Sequence, residues 1–172
     1  MRLRTVAAHS MTVVFLLGLA ACARPGAPLE QGPGTVTSAR KFLEGQWTLE
    51  TFQVIPPGQA PVTLRGQGTL VYDDFGNLQM EVRADEKASD LLRAAGIDIR
   101  DGVISTQGRT VIDLQHRTLT YVLEGQQGGA NAGGPLALNR PRHWEVDTNL
   151  LTLTTKDDQG NPLSVSRWRR AK

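Results

Sequence analysis

The chain cannot form an internal disulfide, because it has one cysteine, Cys22, in 172 residues. Aromatic residues are scarce at 5%, and no apolar run reaches the ~20 residues that a bilayer-crossing helix needs. An excess of one charge is missing too. Lys and Arg number 19 against 17 Asp and Glu, and Arg2 and Arg4 lie in a leader that is expected to be cleaved, which leaves 17 against 17. A balanced chain with no basic run in its body lacks the concentrated positive face that phosphate neutralisation requires, so nucleic acid is not expected as a partner. Histidine is limited to His9 in the leader and to His116 and His143. His116 lies in the apparent turn Gln115-His116-Arg117 and His143 alternates with Trp144, so both read as solvated. With Asp113, Glu145 and Asp147 they lack the spacing of a zinc site or an acid–base pair. Asp74-Phe75-Gly76 has no kinase loops around it, Asp157 to Asn161 is too short for a calcium loop, and Ser164 and Ser166 lack a nucleophile elbow. The chain reads as a non-enzyme that needs no cofactor and no metal.

What is present begins at the N-terminus. Arg2 and Arg4 precede a short apolar stretch from Met11 through Val13, Val14, Phe15, Leu16 and Leu17 to Leu19, followed by small residues. That order is the pattern of a secretory signal, here residues 1–21. Leu19-Ala20-Ala21-Cys22 resembles the lipobox of bacterial lipoproteins, in which the cysteine is acylated and becomes the new N-terminus. The resemblance implies that Cys22 carries the acyl chains, palmitate among them, and that they anchor the protein in a membrane of the cell envelope. Ala23 in place of aspartate suggests the outer membrane, facing the periplasm. One myristoyl-length chain at ~0.8 kcal/mol per buried methylene binds only marginally, whereas two or three chains hold stably. The alternative is an ordinary signal peptide that leaves Cys22 as a free thiol.

Residues 22–36, with Ala23-Arg24-Pro25-Gly26-Ala27-Pro28 and Gln31-Gly32-Pro33-Gly34, offer almost nothing to bury and read as a flexible tether. Residues 37–172 form the expected folded domain, long enough for a modest core. Apolar residues there recur at alternate positions, the period of a strand with one buried face. Trp47 and Leu49 share a face, as do Leu70 and Tyr72, Leu78, Met80 and Val82, Ile112 and Leu114, Leu119, Tyr121 and Leu123, Trp144 and Val146, and Leu151 and Leu153. Val165 and Trp168 follow. Turns are expected at Asp73 to Asn77, Gln107-Gly108, Asp147 to Asn149 and Asp157 to Pro162, and tight turns imply antiparallel neighbours. Asp85 to Gly96 reads as a short helix, with acids early, Arg93 late and a glycine to close it. Thr37 to Leu43 suggests another helical turn, whose Phe42 and Leu43 plug an open end. Gly125 to Gly134 reads as a mobile surface loop.

The fold class is thus mainly β, an antiparallel barrel or sandwich with one short inserted helix. Leu43-Glu44-Gly45-Gln46-Trp47-Thr48-Leu49 resembles the Gly-x-Trp opening of the lipocalins and of bacterial lipocalin-like domains. Gly68 to Leu78 resembles their second hairpin, and Arg142 to Val146, Leu151-Thr152-Leu153 and Arg167 to Arg170 resemble their last three strands. The likeness spans Leu43 to Arg170 and implies a barrel of about eight strands, with Trp47 at its closed end packed against Arg167 or Arg169. Such a barrel is either filled by side chains or holds one small ligand. The expectation for function is a lipid-anchored carrier or sensor of a small hydrophobic or amphipathic molecule, with Tyr72, Met80 and Tyr121 as contacts near a mouth at the Gly125 to Gly134 loop. The alternative is a filled barrel serving as an interaction module of an envelope complex.

Overall fold

The computed structural model describes residues 34–122 and 136–172. The signal segment, Cys22, most of the tether, Leu123 and the loop at 125–134 lie outside the described residues.

The first described element is α1 (Val36–Leu43). Thr35 caps it, its hydroxyl accepting from the Ser38 N–H at 3.3 Å while Ser38 Oγ accepts from the Thr35 N–H at 3.0 Å. Ala39 and Leu43, one turn apart, form the buried stripe. Phe42 falls off that stripe and is 55% exposed, so the plug is made by Ala39 and Leu43, not by Phe42 as expected.

The strands follow as β1 (Gly45–Val54), β2 (Val62–Arg65), β3 (Gly68–Tyr72), β4 (Asn77–Arg83), β5 (Val103–Asp113), β6 (Thr118–Val122), β7 (Arg142–Asp147), β8 (Leu150–Lys156) and β9 (Pro162–Arg170). A second helix, α2 (Glu86–Ala94), is inserted between β4 and β5. The Asp85 carboxylate caps it by accepting from the Ala88 N–H at 2.8 Å, and Gly96 turns the chain away with φ of +77°. All pairings are antiparallel. One edge of β1 pairs with β3 over its first half and with β2 over its second, while its other edge pairs with β9. β2 and β3 are therefore two halves of one stave, broken at Gly66, whose φ is +68°. The nine segments close as an eight-stave up-and-down barrel. Gly68 restarts the stave where a Cβ would stand 2.8 Å from the Glu81 carbonyl oxygen, so a side chain there would push β3 and β4 apart.

Topology gives the barrel two unlike ends. The turns at 73–76, 114–117 and 148–149, the start of β1 and the end of β9 share one end with α1. The connections at 55–61, 84–102 and 157–161 and the described segment 136–141 share the other, with α2.

Most of the expected inner face is buried, including Trp47, Leu49, Leu70, Tyr72, Leu78, Val82, Ile112, Leu119, Tyr121, Leu151 and Leu153, with Met80, Leu114, Trp144 and Val146 half-buried against them. Val165 is a correction. β9 turns Ser164, Ser166 and Trp168 inward, because the Trp168 indole N–H donates to Ser166 Oγ at 2.8 Å and Ser164 pairs with Thr155. Gln107-Gly108 is another. β5 runs straight through it, since register with β4 pairs Gly108 with Leu78 and overrides the local turn chemistry.

The α1 end is sealed by Trp47, which has no exposed surface. Its indole N–H donates to the Leu43 carbonyl at 2.8 Å, satisfying an acceptor at the helix C-terminus. Arg170 supplies the cation, its guanidinium 4.2 Å from the ring centroid, and donates to the Glu44 carbonyl at 2.7 Å and to the Phe42 carbonyl. The partner is Arg170 and neither Arg167 nor Arg169, because register sets Arg170 opposite Trp47 while the other two face outward, Arg169 onto Glu50. Trp47→Ala is expected to lower stability by about 3–5 kcal/mol in denaturant unfolding, as a large buried aromatic is lost. A loss below about 1 kcal/mol would show that the seal is not where the fold is held.

Candidate functional site

The barrel interior is apolar around most of its circumference and polar on one side. Following the register, one inward row reads Ile112, Leu119, Arg142, Thr155, Ser164, Val54 and Val62. Its polar members come from β7, β8 and β9, and all three are buried.

Arg142 dominates this side. It is 7% exposed, and its guanidinium stacks on the Tyr121 ring at 4.1 Å. Nη1 donates to the Leu138 carbonyl at 3.2 Å and the Arg140 carbonyl at 2.9 Å, and Nη2 to those of Leu136 at 3.3 Å and Ala137 at 3.2 Å. Among the described residues no carboxylate pairs with it. Four carbonyl dipoles and the Tyr121 ring hold the cation without neutralising it. Burial pushes its pKa below the ordinary guanidinium value, against the pull of Tyr121 and Tyr72.

Tyr72, at the α1 end of β3, and Tyr121, near the far end of β6, meet across the interior with hydroxyls 3.1 Å apart. The register that pairs Tyr72 with Leu78 pairs Leu78 with Gly108, an inward position that carries no side chain, and Thr110 two residues on pairs with Tyr121. Two hydroxyls carry two protons, and their mutual bond uses one, so the second O–H is free to donate to something else. Beside Tyr121, the buried Thr110 Oγ1 has no hydrogen-bond partner, and the Trp144 Nε1 on β7 has none either. Burial holds both phenols above the ordinary tyrosine pKa. At Tyr72 the neighbouring Tyr121 adds to that shift, while at Tyr121 the charge of Arg142 works against it.

Of the expected contacts, Tyr72 and Tyr121 are brought together. Met80 is half-buried on the inner face, paired with Leu70 and Thr106, one pleat away from Leu78. Cys22 lies outside the described residues. So does the expected mouth loop at 125–134, although β6 leaves its last described residue, and the chain returns at Leu136, at the α2 end. Sequence reasoning groups Arg142 with Arg140, Arg167, Arg169 and Arg170 as a solvated basic rim, with contact to anionic lipid headgroups or a carboxylate ligand as the alternative. Its signal was the alternation Arg142, Trp144, Val146, which puts the arginine on the same face as the tryptophan. His143 is exposed on the outer wall, and His116 Nδ1 lies 2.7 Å from Asp113 Oδ2 on the surface, a bond that holds the Asp113 carboxyl below its usual range. Among the described residues no three His, Cys, Asp or Glu side chains gather as a metal site, and no helix is long and apolar enough to cross a membrane.

No family model matches the chain, and no curated protein matches it in sequence. Among solved structures, a redesigned beta barrel aligns over 78% of this chain and 96% of its own, at 13% identity and a TM-score of 0.37. That likeness is too loose to bear on fold detail or function.

The only two tyrosines of the chain are this pair, so tyrosinate absorbance reads the site alone. An acid whose folded pKa is raised adds nothing below its unfolded value and costs stability above it, because the unfolded chain ionises first. Stability is therefore expected to be level with respect to these groups up to pH about 10 and to fall beyond it. Tyrosinate absorbance is expected to rise only with unfolding. An ionisation step below pH about 10 in the folded protein would contradict the buried pair.

Proposed function

We propose that this is a lipid-anchored protein of the bacterial cell envelope, held in the outer membrane by acyl chains on Cys22, whose lipocalin-like barrel binds a small amphipathic molecule of fatty-acid or lipid type without transforming it. The observation that carries this reading is the buried Arg142, which no carboxylate of the described residues pairs with. The four carbonyls give Arg142 a structural use, but they leave its charge unneutralised, and burying an unpaired cation costs several kcal/mol even after relaxation. A ligand carboxylate accepting from the spare tyrosine hydroxyl and lying near the guanidinium supplies the missing charge, and a charge-assisted hydrogen bond is about twice as strong as a neutral one. The apolar tail then runs along the inner face past Met80, with access from the α2 end. The second reading, a filled barrel acting as an interaction module, draws on the large side chains that are fully buried, Trp47, Trp168, Leu70, Leu119 and Leu151.

Titration with a fluorescent long-chain fatty acid separates the two. Saturable binding is expected in the wild type, weakened about tenfold or more by Arg142→Gln with Tyr121→Phe, in line with the loss of charge-assisted bonds. No saturable binding in the wild type would leave the filled barrel standing. The anchor has its own test. Cys22→Ser is expected to shift largely out of the membrane fraction on cell fractionation, and a variant that stays there as fully as the wild type, with processing unchanged, would refute acylation.

A further inference from the structure

Seven large apolar side chains stand exposed among the described residues, and five of them gather at the α1 end. Val36 and Phe42 lie on α1, Phe75 lies at the tip of the turn between β3 and β4, and Val71 and Val111 lie on the outer wall within two residues of that rim. Phe75 is 70% exposed. The turn and the helix are neighbours, since a Cβ on Gly76 would stand 3.5 Å from Arg40 Nε. The other two, Leu91 and Val122, lie at the α2 end.

Nothing in the fold requires Phe75 to be aromatic. The turn is built by the Asp73 carboxylate, which accepts from the N–H groups of Phe75 at 3.0 Å and Asn77 at 2.7 Å. Phe75 is mostly exposed at the tip of that turn, so it presents apolar area to the surroundings of this end. Gathered exposed apolar area of this kind marks a surface that meets something.

The direction of the chain says what it meets. Cys22 is 12 residues before Gly34, which leads into α1, and 12 residues extend at most about 40 Å. The α2 end is farther off by the height of the barrel, whose 11-residue β5 measures about 36 Å along its own axis. The chain from an acylated Cys22 therefore enters the domain at the α1 end and makes this end, with its phenylalanines, the one nearer the lipid along the chain. Charges at this end are of both signs, Arg40 and Lys41 on α1 and Arg169 and Arg170 on β9 against Glu44, Asp73 and Asp74, so attraction to one sign of headgroup is not what the surface offers. We infer that the α1 end rests on the bilayer, with Phe42 and Phe75 seated at the boundary between headgroups and acyl chains and the α2 mouth turned away into water. This rests on the acylation of Cys22 proposed above, and it adds an orientation that a tether alone does not impose.

Acylation consumes the only thiol of the chain, so a cysteine introduced elsewhere is uniquely labelled. The acylated full chain is reconstituted in vesicles of phosphatidylethanolamine and phosphatidylglycerol, with a spin label at Phe75→Cys, Phe42→Cys, Leu91→Cys or Gln159→Cys. Labels at 75 and 42 are expected to be relaxed by lipid-dissolved oxygen and shielded from an aqueous nickel chelate, and labels at 91 and 159, at the α2 end, the reverse. Aqueous accessibility at 75 and 42 equal to that at 91 overturns the inference, and so does shielding from both reagents, which would mean a protein partner on that surface. A second arm does without the anchor. Full-length Cys22→Ser is expected to float weakly with the same vesicles, to do so equally in low and high salt, and to lose about tenfold or more of that partition with Phe42→Ser and Phe75→Ser together. Absence of flotation overturns the membrane surface, whereas loss of acyl groups from the wild type with this flotation retained overturns only the anchor.

Discussion

The stacking of Arg170 on Trp47 is the contact on which the barrel depends, because it does three jobs at one point. It closes the ring, since Trp47 and Arg170 face each other across the seam between the first and last strands. It fastens α1, since the indole and the guanidinium take up the carbonyls of Phe42, Leu43 and Glu44 that the helix end leaves without partners. It also keeps water out of that end. A helix of eight residues is marginal alone, and here its last turn is held by side chains of the sheet it covers.

With that end sealed, the polar lining toward β7, β8 and β9 becomes the feature that needs explaining. Arg142 ties the returning segment 136–140 to the inner wall through four carbonyls, and it also places a full positive charge against Tyr121. These roles reinforce one another, because the segment that orients the guanidinium is the one that leads into β7 at the α2 end. On the binding role proposed above, selectivity for a headgroup and the order of that rim share one side chain.

Much of the architecture was legible because one-sided burial imposes a period of two. Leu78, Met80 and Val82 kept it cleanly, and Asp85 and Gly96 bounded the inserted helix with ordinary capping chemistry. What escaped the pattern escaped for physical reasons. β9 faces inward with serines, which read as surface until Trp168 needs an acceptor, so Val165 took their place in the alternation. Gly108 looked like a turn because glycine permits one, while cross-strand register decides whether a turn is made. Arg142 was read by its charge and not by its parity. The meeting of Tyr72 and Tyr121 depends on the stagger between staves three apart, which no local window contains.

The ring has seven seams between neighbours in sequence and one between distant parts of the chain, where Glu44 and Arg170 stand 126 residues apart. Local hairpins can zip as soon as both of their strands are present, but a long-range seam waits for its second strand. The barrel therefore cannot close, nor α1 seat, before residue 170 has been delivered. For a chain exported N-terminus first, the leader and Cys22 reach the processing machinery while the interior is still an open, wettable sheet. On the export proposed above, closure is a late event, completed only on the far side of the membrane.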